Sequence, residues 1–236
     1  MGVRASRCGL SCLAAVIAAS GSAHCAEIAI LIHDDPPNIR LEGDHLTGPL
    51  GQRVQAIIQS TGAPFSLKSL PYARAEASTK SDPNTCLVPA VKLPDSEAAY
   101  VWAGPLGRRE LGLFTLESTN IALKSVDDLR GQNLRVGVVQ SEYAESALRS
   151  AFPFVKRDPV PEGKLNAKKL AMGRIDLWAT STDNAKFIAT QEPQLPPIKE
   201  VLPVGAYDIG FACNSATDPQ LVKSLQEAIA KTKAGS

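Results

Sequence analysis

Histidine, methionine and tryptophan are scarce in this 236-residue chain: three, two and two residues respectively, with Phe, Trp and Tyr together at 5%. A clustered metal site needs His, Cys or carboxylates at ligand spacing. Beyond residue 26 only His33 and His45 remain, and Asp34-Asp35 alone makes no such set. Glycine-rich nucleotide signatures are missing too. Val136–Ser141 (VGVVQS) has one glycine where a dinucleotide fold needs three, and no GK[ST] phosphate loop occurs. No serine stands in a nucleophile elbow. No cofactor is therefore expected. Charge of one sign is absent as well: 25 basic against 24 acidic residues give a net +1, which offers nothing to nucleic acid or an anionic membrane. There is no internal repeat and no low-complexity segment.

The one long apolar run, Cys8–Ala19, is too short for a permanent membrane span. It follows Arg4 and Arg7 and precedes the small residues Ser20-Gly21-Ser22-Ala23, the layout of a secretory signal peptide over residues 1–26 cut between Ala23 and Glu27. A periplasmic location follows. For a lipoprotein, Gly9-Leu10-Ser11-Cys12 comes too early, and Ala23-His24-Cys25 has a histidine where a small residue belongs. Removing the leader leaves 23 basic and 24 acidic residues, about −1, and two cysteines, Cys86 and Cys213. Two cysteines in an exported chain pair more often than they stay free.

The mature chain alternates strands with helices. Glu27–Ile32 is a buried strand, stopped by His33-Asp34-Asp35-Pro36-Pro37. Leu50, Val54, Ile57 and Ile58 lie on one helix face, closed by Gly62. Strands are predicted over Phe65–Leu70 and Thr85–Val91, with a short helix beginning at Pro71 between them. Tyr100–Ala103 and Leu111–Leu116 are two strands split by Gly104–Arg109. Asn133–Arg149 (NLRVGVVQSEYAESALR) reads as strand, tight turn and helix, with Ser141 as N-cap. A strand over Phe154–Val160, a helix over Glu162–Met172, a strand over Ile175–Ala179 and a helix over Thr182–Gln191 follow. Ile198–Val204 and Tyr207–Cys213 are further strands. Asp218 caps a last helix with Leu221, Leu225 and Ile229 on one face. The pattern is α/β with mostly parallel sheets. It breaks twice, at Tyr100–Leu116 and Ile198–Cys213, where two lobes would need extended crossings.

Several phrases, in this order, resemble bacterial extracellular solute-binding proteins of the amino-acid type that serve ABC importers. They are Pro36-Pro37, LPYARAEAS (70–78), YVWAGPL (100–106), SVDDLRGQNLRVGV (125–138), LAMGRIDLWA (170–179) and the C-terminal stretch from Tyr207. The resemblance spans nearly the whole mature chain. It implies a type II periplasmic-binding-protein fold: two lobes, each a mostly parallel sheet flanked by helices, joined by two hinge crossings. Lobe one would comprise 27–108 plus 209–236, and lobe two 109–208. Cys86 and Cys213 then share a lobe, where they can pair. The implied function is capture of a small polar ligand between the lobes, by a monomer that delivers it to an inner-membrane permease. The same fold also implies two alternatives, an exported enzyme similar to cyclohexadienyl or arogenate dehydratases and a sensory binding protein.

In the family an arginine before the phrase matching YVWAGPL holds the ligand carboxylate; the matching position is Ser96. An acidic residue five positions after the aspartate of the phrase matching Gly173–Asp176 pairs with the ligand ammonium; the matching position is Ser181. Both charged anchors are replaced, so a neutral, zwitterionic or weakly charged ligand is expected. The remaining binding candidates are Tyr72, Arg74, Trp102, Arg108, Ser141, Glu142, Tyr143, Trp178, Thr180 and Ser181. Arg108 and Arg109 also suit a solvated charge pair, Trp102 a core position, His33 a solvent-facing loop and Asp176 a structural brace. For the enzyme alternative only Glu142 and Asp183 could serve as general acid.

Overall fold

A computed structural model describes Gly2 and residues 27–233. The signal peptide expected over residues 1–26, Gly2 apart, and its cleavage lie outside these residues. Among them no helix is long and apolar enough to cross a membrane.

The first half contains β1 (Ile28–Ile32), the hairpin β2 (Arg40–Glu42) and β3 (His45–Thr47), α1 (Pro49–Ser60), β4 (Phe65–Ser69), α2 (Tyr72–Ser81), β5 (Thr85–Val91) and the short α3 (Pro94–Glu97). β6 (Val101–Leu116) crosses to the second half. There follow β7 (Arg135–Val139), α4 (Tyr143–Ala151), β8 (Lys156–Val160), α5 (Gly163–Ala171), β9 (Leu177–Thr180) and α6 (Thr182–Gln191). β10 (Ile198–Cys213) returns, and α7 (Pro219–Lys233) ends the chain.

The eight strands other than the hairpin run in the order β4-β1-β5-β10-β6-β9-β7-β8. Within each half the pairings are parallel: β1 with β4 and β5, β7 with β8 and β9. Parallel strands are covered on both faces and read as continuous apolar runs. β5 does so, with all of Thr85–Val91 buried. On α1, Val54, Ile57 and Ile58 are fully buried, each worth on the order of 1.5–3 kcal/mol. α7 buries Leu221, Leu225 and Ile229 as its periodicity predicts.

β6 and β10 depart from the expectation of two broken strand pairs. Each is a single strand of 16 residues. They pair antiparallel from Ile198 with Leu116 to Cys213 with Val101. The cross-strand ladder overrides the local breakers Gly104-Pro105 and Gly205, and three register irregularities in β10 absorb the mismatch. The two crossings are thus one continuous ribbon.

Cys86 and Cys213 face each other across β5 and β10, Cα atoms 3.9 Å apart, and form a disulfide. Both are fully buried. Smaller differences concern ends. The strand expected from Phe154 begins at Lys156, and Pro71 is the N-cap of α2 rather than its first residue. Asp176 is a brace, but for Arg135, whose backbone N–H donates to its carboxylate at 2.7 Å.

Candidate functional site

Parallel strands place their carboxyl ends on one edge, where α/β proteins open their clefts. Four such ends converge here: the loop His33–Asn38 after β1, Val91 at the end of β5, Gln140–Glu142 after β7, and Ser181 after β9. The first loop is held by α1, whose Leu50 and Gly51 N–H groups donate to the Asn38 carbonyl. Gly48 permits that approach: a Cβ there would stand 2.5 Å from the Pro37 and Asn38 carbonyl oxygens, and its φ is +82°.

At the centre, Asp35 forms an ion pair with Arg109 of β6. Their side chains are only 14% and 9% exposed. Burial alone would lower the guanidinium's affinity for its proton, and Asp35 more than reverses this, so Arg109 stays charged. Arg109 also lies 5.8 Å over the Tyr143 ring. The Tyr143 hydroxyl donates to the Glu110 carbonyl at 3.2 Å. Burial pushes this phenol well above its ordinary value. Beside this group, His33 Nε2 meets Glu142 Oε1 at 3.3 Å, joining the loop after β1 to the start of α4. The His33 ring stands edge-on to Tyr72, centroids 5.3 Å apart. Burial, then Glu76 and Glu142, raise the Tyr72 hydroxyl's pKa, so it remains protonated.

These side chains fill the middle of the cleft, leaving a chamber of about 30 Å³. Two larger compartments flank it. One, of about 330 Å³, lies between α1 and α6 and is lined by Leu50, Arg108, Arg109, Glu110, Ser181 and Asp183 among others. The other, of about 210 Å³, lies between α2 and α4; Tyr72, Ser96, Ser141, Tyr143 and Ser146 are part of its wall. Ser150 of α4 donates to Asp95 of α3 at its outer end.

No protein-family model matches the chain, and no curated protein matches its sequence. Solved structures do match. A histidine kinase sensor domain with similarity to periplasmic binding proteins superposes with a TM-score of 0.77 at 15% identity, over 90% of this chain and 92% of that one. An ancestral arginine-binding protein bound to arginine gives 0.72 at 18% identity, over 88% and 92%. The ancestral amino-acid-binding protein AncCDT-1, a precursor of cyclohexadienyl dehydratase, gives 0.71 at 16%, over 88% and 89%. The chain has the two-lobed periplasmic-binding-protein fold.

Within that fold the ten sequence-derived candidates separate. Tyr72, Glu142, Tyr143, Arg108, Ser141 and Ser181 line the cleft compartments. Four do not. Trp178 is fully buried with Phe114, Leu170 and Ile175 in the core of lobe two; it is a packing residue. Alternation along a strand could not distinguish its two faces, because both are covered. Thr180 is buried and accepts a hydrogen bond from Asn184 Nδ2 at 2.8 Å. Arg74 is exposed on α2 and makes no ion pair among the described residues. Trp102 donates to the Glu97 carbonyl at 3.0 Å and borders a different cavity of about 160 Å³, with Lys92 and Gln226.

Two further corrections concern the opening of α4 and the charges. Ser141 is not the N-cap: it lies at φ 63°, and Glu142 takes the cap position without a capping side chain. A Ser at positive φ cannot adopt the extended cap conformation. Ser181, by contrast, caps α6, accepting from Asn184 N at 3.2 Å. Arg108 is exposed as expected, loosely paired with Asp208 at 3.7 Å. Arg109 is not a solvated charge, and His33 does not face solvent. Their partners lie 74 and 109 positions away (Asp35, Glu142), beyond the reach of any local pattern.

Proposed function

We propose that the protein is an exported, non-catalytic binding protein that captures a small polar ligand between its lobes and hands it to an ABC-type importer. The observation that carries this is the cleft itself. Groups from four strand ends meet there, and side chains from both lobes touch across it at His33–Glu142 and Ser150–Asp95. A ligand that binds across such contacts stabilises the closed form by hinge motion at β6 and β10. The fold shared with arginine-binding proteins supports a small-molecule ligand. Thermal shift against a metabolite panel, with solution scattering, tests it: ligand raises the melting temperature and reduces the radius of gyration. A panel that changes neither removes the proposal.

The histidine kinase sensor domain favours a second role, presentation of the ligand-bound form to a membrane receptor. Permease and ATPase genes beside this one support transport, and a receptor gene in their place supports sensing. An enzyme similar to cyclohexadienyl dehydratase would need Glu142 or Asp183 as general acid, and Glu142 is engaged by His33. Release of carbon dioxide from prephenate-like substrates by the purified protein would overturn the non-catalytic assignment.

A further inference from the structure

The two compartments beside the cleft centre differ in chemistry. The one between α1 and α6 presents formal charges: Glu110 and Asp183, neither in an ion pair among the described residues, and the loosely paired Arg108. The one between α2 and α4 presents hydroxyls. Of its charged neighbours, Glu76 pairs with Lys80 at 3.0 Å and Arg149 with Glu145 at 3.1 Å, while Asp95 is in no ion pair among the described residues. Asp95 accepts from Ser150. An anionic ligand would find no free counter-charge there, since Lys80 and Arg149 are both paired, and would lose hydration without compensation.

The strongest pointer is Tyr72. Its ring packs on the buried cluster of Leu31, Ala75, Leu87 and Tyr100. Tyr72 lines the compartment, and its hydroxyl stays protonated and has no hydrogen-bond partner among the described residues. A phenol so placed is a donor and acceptor awaiting a polar group. Around it, Ser141 and Ser146 belong to the lobe-two wall, and Ser96 to the lobe-one wall. Ser96 already donates to the Leu93 carbonyl at 3.2 Å and Ser146 accepts from Arg149 at 3.4 Å, so Ser96 is left to accept and Ser146 to donate; with the hydroxyls of Tyr72 and Ser141 they match the mixed donor and acceptor demand of a polyol's vicinal hydroxyls.

We propose that the compartment between α2 and α4 is a binding site for a small neutral polyol of monosaccharide size, with the hydroxyls of Tyr72, Ser141 and Ser146 as its hydrogen-bonding partners. This rests on the ligand-capture function above and names its ligand class. Lobe closure completes the site, because Ser150 and Asp95 meet at its mouth.

The test is thermal shift and calorimetry on the mature chain with defined probes: D-glucose and myo-inositol as neutral polyols, and L-arginine, putrescine and succinate as charged ones. A polyol raises the melting temperature, and the charged probes do not. Tyr72→Phe keeps the ring and removes one hydrogen bond, so affinity falls roughly 2- to 13-fold. Ser146→Ala gives a loss of similar size. A shift produced only by a charged probe overturns the polyol assignment and leaves ligand capture standing. A polyol shift that Tyr72→Phe and Ser146→Ala leave intact and Asp183→Asn abolishes moves the site to the other compartment. If no probe of either class binds and a broad metabolite panel is also silent, ligand capture itself falls.

Discussion

Neutralising Asp35 is the most informative perturbation of the cleft. Asp35→Asn keeps the shape of the side chain and strips the negative charge facing Arg109. The guanidinium is 9% exposed, so water cannot replace the lost partner. Breaking a buried pair by removing one charge costs about 3–5 kcal/mol, because the other remains desolvated and uncompensated. The residual exposure and the Tyr143 ring place the expected loss at the lower end, about 3 kcal/mol. That is a large part of a total stability of about 5–15 kcal/mol. Urea denaturation followed by circular dichroism reads it as a lower midpoint at constant slope. Removing both charges, Asp35→Asn with Arg109→Met, leaves nothing unpaired and recovers most of the loss, a coupling of at least about 2 kcal/mol. A single-variant cost below about 1 kcal/mol, or strictly additive losses, would refute a buried pair at the cleft centre.

Three further outcomes are expected. Replacing Cys86 and Cys213 by alanine opens a cross-link between positions 127 apart, which the chain-entropy model values at about 5 kcal/mol; equal urea midpoints for the variant and the parent would contradict it. All four tyrosines have raised pKa values, through burial first in each case. The native protein therefore holds its phenolic protons above pH 10 while the unfolded chain releases them, so stability falls as pH rises through 10; tyrosinate absorbance of the folded protein at pH 10 matching that of the denatured chain would contradict this. Trp178→Ala empties a core position in lobe two and costs roughly 3–5 kcal/mol; a loss under about 1 kcal/mol would return Trp178 to the cleft.

What was legible in the sequence was periodic or punctuated. The apolar faces of α1 and α7, the continuous run of β5 and the two places where alternation fails are local properties, and the structure contains each of them. The crossings were legible as breaks but not as long strands. Gly104-Pro105 and Gly205 look like stops until the partner strand is present to hold them. The site was legible in part for the same reason. Glu142, Tyr143 and Ser181 follow strand ends, and strand ends are visible in a pattern. Arg109 and His33 owe their roles to partners in another lobe, and nothing nearby in the chain distinguishes a paired arginine from a solvated one.

The replaced anchors and the occupied centre are two sides of one arrangement. Where the family resemblance places a carboxylate-binding arginine and an ammonium-binding acid, this chain has Ser96 and Ser181. It has not lost charge from the cleft: Arg109 and Asp35 face each other there, and Glu142 meets the His33 ring. An amino acid needs two free opposite charges, and this centre offers pairs that are already satisfied and a chamber of only about 30 Å³. Opening those pairs for a ligand would cost what Asp35→Asn is expected to cost, about 3 kcal/mol, or more than a hundredfold in affinity. A ligand that leaves them intact and uses the hydroxyls beside them avoids that penalty. On the proposed ligand-capture reading, the charged centre serves closure and selectivity passes to its flank.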